Sequence, residues 1–256
     1  MKKKYSVLLA LALVAAMMLA GCSSSEDKKD DAAGGKEDTT QDTPDTGKDT
    51  EDKEDAEAPA EDEEIEETTL GTVEGNVYTN TYAGFGCKLG DDWTIQSAAE
   101  LQDMNEAIMD MLKDTEVGKD MVANQTITDM KAMSTETAAS VNVVYSTLGG
   151  SKIEVLAARM MTEDQIMDGL LAQKDMLIQS YKATGMDVQD MTKETMTFLG
   201  EEHSVLTTHA VLNGADYYLV QTFNYDLDGA FGIALTFGGM SLEDIQATMD
   251  AFYTVD

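Results

Sequence analysis

The chain has 256 residues and a formal net charge of −32, with 49 acidic residues against 17 basic ones. Its lysines and arginine form no stripe in the C-terminal part, so binding to nucleic acid or to anionic lipid head groups is not expected, because both need clustered cations. The only cysteines are Cys22 and Cys87, too few for a disulfide framework, so stability must come from an apolar core.

The chain opens with Lys2, Lys3 and Lys4, followed by an apolar run of 13 residues from Val7 to Leu19. A membrane-spanning helix needs about 20 residues, so this run is too short to cross a bilayer. It matches the apolar region of a secretory signal. The run ends Leu19-Ala20-Gly21-Cys22, which resembles the lipobox of bacterial lipoproteins. That resemblance implies a signal peptide over 1–21, cleaved before Cys22, and a Cys22 thiol carrying lipid with acyl chains such as palmitate. It places the protein on the extracytoplasmic face of the cell membrane, as at a Gram-positive surface. Two or more acyl chains, at about 0.8 kcal/mol per buried CH₂, make a lasting anchor where one would not.

Residues 22–70 read as an acidic, disordered tether. Between Ser23 and Thr68 there are 20 acids and 5 lysines, and no aromatic residue. Such a segment buries too little apolar surface to offset the entropy of ordering. Even an ideal coil of this length spans roughly 35–40 Å, and self-repulsion lengthens it. Cation binding by the acidic run is the functional alternative to a solvated spacer. Both prolines, Pro44 and Pro59, lie here.

Residues 71–256 are long enough for one domain with a real core. Asn76 to Thr81 alternates, with Val77 and Thr79 on one side and Tyr78 and Asn80 on the other. A short strand follows at Phe85 to Leu89, then a turn at Gly90-Asp91-Asp92. Ser97-Ala-Ala-Glu100 is a capping box for a helix with Leu101, Met104, Ile108, Met111 and Leu112 on one face. Thr126–Met133 and Val141–Leu148 read as strands, and Ile153–Ala158 as a short strand or a loop. Thr162-Glu-Asp-Gln165 is a second capping box. Its helix carries Ile166, Leu170, Leu177, Ile178 and Tyr181 and ends near Gly185. Strands follow at Met191–Leu199, Ser204–Leu212, Tyr217–Tyr225 and Ala230–Phe237. Asn213-Gly214 and Asp228-Gly229 are hairpin turns between them. The last strands are apolar on both sides, which predicts a sheet covered on both faces. Ser241 caps a final helix with Leu242, Ile245, Met249 and Phe252 inward. Hairpin-linked strands separated by helices predict an α+β fold, with a mainly antiparallel twisted sheet of about six to eight strands covered by about three helices.

The pattern Tyr78-Thr-Asn80-x-Tyr82-x-Gly84-Phe85, a strand, then Asp92-Trp93, an amphipathic helix and an Asn213-Gly214 meander resembles the PsbP-like fold of secreted Firmicute lipoproteins. Gly90 departs from the family, which often has proline there, and residues 114–125 do not fit it well. The resemblance implies a domain that binds partners or assists assembly and carries no catalytic residue; none of the family's partner sites maps onto this chain.

The remaining chemistry is sparse. Asn224-x-Asp226-x-Asp228-Gly229 copies four positions of a calcium loop, but Leu235 stands where a bidentate Glu is needed. A hairpin turn is therefore expected there, and Asn224, Asp226 and Asp228 are the only metal-ligand candidates kept. His203 and His209 share a strand face roughly 20 Å apart, too far for one metal ion. Cys87 reads as a small buried strand residue. The methionine groups Met109/Met111, Met130/Met133 and Met160/Met161 read as core filling or an adaptable apolar groove rather than a Cu(I) site. Neither a catalytic motif nor a cofactor motif is present. The expected function is a non-enzymatic binding or assembly domain, whose partners are the membrane through its lipid and an envelope protein or small ligand. The alternatives are a small-ligand or divalent-cation receptor, and a hydrolase bringing Cys87 or a serine to His203 or His209.

Overall fold

The computed structural model describes residues 70–112, 126–148, 152–183, 185–224 and 231–255. The segments expected as signal peptide (1–21) and tether (22–70) lie outside them, Cys22 included and residue 70 excepted, as do Asp226, Asp228 and Gly229. Among the described residues, β1 (Thr72–Glu74), β2 (Val77–Asn80), β3 (Phe85–Lys88) and β11 (Phe252–Thr254) form a small antiparallel sheet in that order. A larger sheet of seven strands contains β4 (Trp93–Ile95), β5 (Ile127–Ser134), β6 (Ser140–Thr147), β7 (Asp187–Phe198), β8 (Glu201–Leu212), β9 (Ala215–Asn224) and β10 (Phe231–Gly239). Its order is β4-β5-β6-β10-β9-β8-β7, and every pairing is antiparallel.

Both faces of the large sheet are covered, as the doubly apolar strands require. On one face Val144, Leu206, Leu219 and Ala234 meet Ile166, Leu170, Leu177 and Tyr181. Those four come from α3 (Glu163–Leu171) and α4 (Lys174–Ala183). Met104 of α1 (Ala98–Leu112) joins this core, as do Val155 and Ala158 of α2 (Lys152–Arg159). On the other face Val141, Val143, Val220, Ile233 and Phe237 meet the small sheet through Tyr78, Phe85, Cys87 and Phe252. Ile245 and Met249 of α5 (Leu242–Met249) complete that layer. The α+β, mainly antiparallel expectation is what the chain adopts; the small second sheet is an addition to it.

Several local expectations need correction. Residues 152–159 are helical, not strand or loop. Val155 and Ala158, three apart, pack on the same core, which a helix permits and a strand does not; the β-branched pair Ile153 and Val155 gave the misleading signal. The helix begun by Thr162 is two helices, broken at Ala172-Gln173, where Gln173 N–H bonds to the Leu170 carbonyl in a tight turn. No residue at the break marks it. Phe252 is buried as expected but belongs to β11 rather than the last helix. The β7–β8 hairpin turns at Leu199-Gly200 with φ of 52° and 83°, almost the values of Asn213-Gly214 at 52° and 82°. Both suit a two-residue turn with positive φ at each position. Only the second has the residue type that announces it.

Candidate functional site

A cavity of about 440 Å³ opens at one end of the large sheet, where the α2–α3 junction meets the β7–β8 turn and the end of β9. The local geometry starts with Thr162. Its hydroxyl oxygen accepts from Gln165 N–H at 3.3 Å, and the Gln165 side-chain oxygen accepts from Thr162 N–H at 3.0 Å. This reciprocal cap fixes Glu163 in the first turn of α3, facing β8. Glu163 Oε1 lies 2.6 Å from His203 Nδ1, and its Oε2 accepts from Ser204 N–H at 2.9 Å. The Ser204 hydroxyl donates to Asp164 at 2.7 Å. That bond, with the Lys193 ammonium beside it, holds the Asp164 carboxyl below its usual range.

Arg159, at the end of α2, lines the same cavity, and Met161 lies beside it. The floor is apolar: Phe85, Ile166, Phe198, Phe223 and Leu235. The Phe198 ring meets His203 edge-on, 5.9 Å between centroids. The site therefore offers one guanidinium, one carboxylate held by two donors, an imidazole fixed through Nδ1, and an apolar bed.

A second polar cluster lies between the two sheets and is closed. Asp129 sits where the β5–β6 register shifts between Thr128 and Met130. The irregularity turns an acid into a layer of apolar residues. The Tyr78 hydroxyl donates to Asp129 Oδ2 at 2.5 Å, Asn80 Nδ2 donates at 2.9 Å, and Gly71 N–H reaches both carboxylate oxygens at 2.9 and 3.0 Å. Asn80 Nδ2 also bonds to the Tyr145 hydroxyl at 2.9 Å. Burial pushes the Asp129 carboxyl up, against the pull of its three donors. Burial, reinforced by that carboxylate, pushes the Tyr78 and Tyr145 hydroxyls well above the normal tyrosine value. Tyr78 and Asn80, which the sequence places only on a common side of a strand, are thus two arms of a clasp.

The residues singled out in the sequence scatter. His203 joins Glu163 at the cavity, while His209 bonds to Asp216 at 2.9 Å and stacks on Tyr218 at 4.7 Å. Cys87 is fully buried, and burial lifts its thiol pKa to about 12. Among the described residues no hydrogen bond joins Cys87 or a serine side chain to either histidine. Asn224 ends β9 at the cavity edge, whereas Asp226, Asp228 and Cys22 lie outside the described residues. Nor does any group of three or more His, Cys, Asp or Glu among the described residues stand ready to hold a metal ion. Met130 is core, Met161 lines the cavity, and Met160 is exposed. Arg159, Glu163 and Asp129 were not anticipated. The available signals were that Arg159 is the sole arginine of the chain and that Asp129 is the one acid within the predicted strand Thr126–Met133.

No protein family matches the sequence, and no curated protein matches it. Among solved structures, the chain is similar to the solution structure of cyanobacterial PsbP (CyanoP) from Synechocystis sp. PCC 6803. Identity is 10%, the TM-score is 0.38, and the match covers 71% of this chain and 94% of that one. A likeness of that size carries no argument about function, and the α+β class rests on the strands and helices themselves. None of the described helices is long and apolar enough to cross a membrane.

Proposed function

We propose that the chain is a lipid-anchored, extracytoplasmic protein whose residues 71–256 form a non-enzymatic binding domain. The anchor is supported by the order of Lys2–Lys4, the Val7–Leu19 run and Leu19-Ala20-Gly21-Cys22. The acidic residues 22–70 suit a spacer that holds the domain away from the lipid surface. Binding can take the form of a partner surface used in assembly or a receptor for a small ligand. The cavity over Phe85, Ile166 and Phe198, with Arg159, Glu163 and His203 on its walls, favours the receptor. A concave site in which a few polar groups converge over an apolar floor is a usual form of small-molecule site.

Labelling of cells with a radioactive or alkyne-tagged fatty acid tests the anchor. The label is expected on the wild-type chain and absent from Cys22→Ala, which leaves the membrane fraction. Label retained on Cys22→Ala overturns the anchor. For the domain, a panel of fluorogenic esters and peptides is expected to show no turnover. Turnover that disappears in His203→Ala overturns the non-enzymatic reading.

A further inference from the structure

Arg159 is the only arginine in a chain of 256 residues and net charge −32, and it lines the one cavity described above. Four residues later Glu163 lines the same cavity, so charges of both signs flank one apolar floor. Guanidinium presents five N–H donors in a planar fork that matches a carboxylate, so a ligand carboxylate can share that fork with the contacts Arg159 already makes. Each Glu163 oxygen accepts one hydrogen bond from the protein, at His203 and at Ser204 N–H; each keeps a further lone pair for an ammonium donor.

The field of the whole molecule narrows the choice of ligand. A free anion must approach a strongly acidic protein against like charge. A free cation is attracted to acidic side chains over the entire surface, so nothing selects this cavity. A ligand with no net charge meets neither effect, yet satisfies both walls when its charges are placed a few bonds apart. We propose that the cavity binds a small zwitterion with an apolar side group, of amino-acid to dipeptide size. Its carboxylate meets Arg159, its ammonium meets Glu163, and its side group lies over Phe85, Ile166, Phe198 and Phe223. A volume of about 440 Å³ suits this size. His203 acts as a positioning residue, because its Nδ1 contact fixes the Glu163 carboxylate.

This inference rests on the receptor form of the proposed function, and a separate titration tests it. Isothermal calorimetry on the purified full chain uses L-phenylalanine, phenylalanyl-leucine, 3-phenylpropionate and phenethylamine. The first two are expected to bind with a Kd of about 1 mM or tighter. The last two, each lacking one charge, are expected to bind at least about tenfold more weakly, since a charge-assisted hydrogen bond supports a difference of that order. Arg159→Gln and Glu163→Gln are expected to weaken L-phenylalanine by about tenfold or more, and Arg159→Lys to restore part of the loss. Glutamine at 163 keeps an oxygen for Ser204 N–H, and unchanged urea unfolding shows that each variant is folded. Three outcomes overturn the inference: no heat with either zwitterion up to 10 mM, 3-phenylpropionate or phenethylamine binding as tightly as L-phenylalanine, or unchanged affinity in Arg159→Gln. Any of these leaves the fatty-acid and turnover experiments to decide the broader reading on their own.

Discussion

Two polar clusters among the described residues, one around Asp129 and one around Glu163, are built in opposite ways. Around Asp129, the Tyr78 hydroxyl, the Asn80 amide and the Gly71 N–H converge on one carboxylate between two sheets. Around Arg159 and Glu163, the groups line a cavity, and both Glu163 oxygens are tied down. The first arrangement satisfies a buried charge from within, so it contributes to the fold and presents nothing to a ligand. The second holds charge beside an open cavity, where it can also meet a ligand. Buried charge is costly to unpair, whereas rim charge is not. Mutations should therefore separate the clusters by their effect on stability.

The largest effect is expected at Asp129. Asp129→Ala takes the shared acceptor from the Tyr78 hydroxyl and the Gly71 N–H and leaves Asn80 only its other contacts, Tyr145 among them. A loss of about 2–4 kcal/mol in urea unfolding is expected from the buried neutral donors left unsatisfied. A loss below about 1 kcal/mol would mean that water fills the gap and that the cluster is not closed. Gly71→Ala tests the same clasp from its other side. A Cβ there runs into the Tyr78 ring well inside contact distance, so the ring must shift and its hydroxyl must leave Asp129. About 1–3 kcal/mol is expected from such overpacking.

The closed layer also predicts how stability responds to alkali. Burial holds the Cys87 thiol at about 12, against 9.0 when unperturbed. The folded state thus keeps a proton that the unfolded state releases between those values. Stability contributed by Cys87 is fully present below pH 9 and is lost as pH rises toward 12. From pH 8 to pH 10 the domain should lose about 1 kcal/mol through this group. Cys87→Ala should remove that part of the slope, leaving a constant offset from the lost sulfur. Tyr78 and Tyr145 act in the same direction at higher pH, since burial raises both hydroxyls.

How far the sequence foretold these clusters follows from what each is made of. Strand alternation puts Tyr78 and Asn80 on the same side of β2, and that side is the buried one. Alternation did not reveal Asp129 as their acceptor, because the register shift at Thr128/Met130 depends on pairing with β6. The two capping boxes were readable, as Ser97 with Glu100 and Thr162 with Gln165 are local contacts. The partner of Glu163 was not readable, since His203 is 40 residues away and arrives only when β8 joins the sheet. Leu199-Gly200 escaped notice for a different reason. Leucine at a φ of 52° works against its own preference by about 1–2 kcal/mol, and its side chain is held by packing against the core between the sheets. Local residue type announces turns that are relaxed, and it is silent about turns imposed from outside.

The smallest stability effect is expected where the functional effect is expected to be largest. Arg159 sits at the cavity wall and has no place in the closed layer around Asp129. Replacing it with glutamine keeps much of the aliphatic stem and removes only the charged fork. A change within about 1 kcal/mol in urea unfolding is expected, the usual worth of a half-exposed charged contact. If Arg159→Gln instead costs as much as Asp129→Ala, then Arg159 is a structural ion like Asp129, and the contrast between the two clusters disappears. If stability holds while L-phenylalanine no longer binds, the chain has separated the two uses of charge. It keeps one carboxylate paired inside for the fold, and one arginine at an opening for what the fold receives.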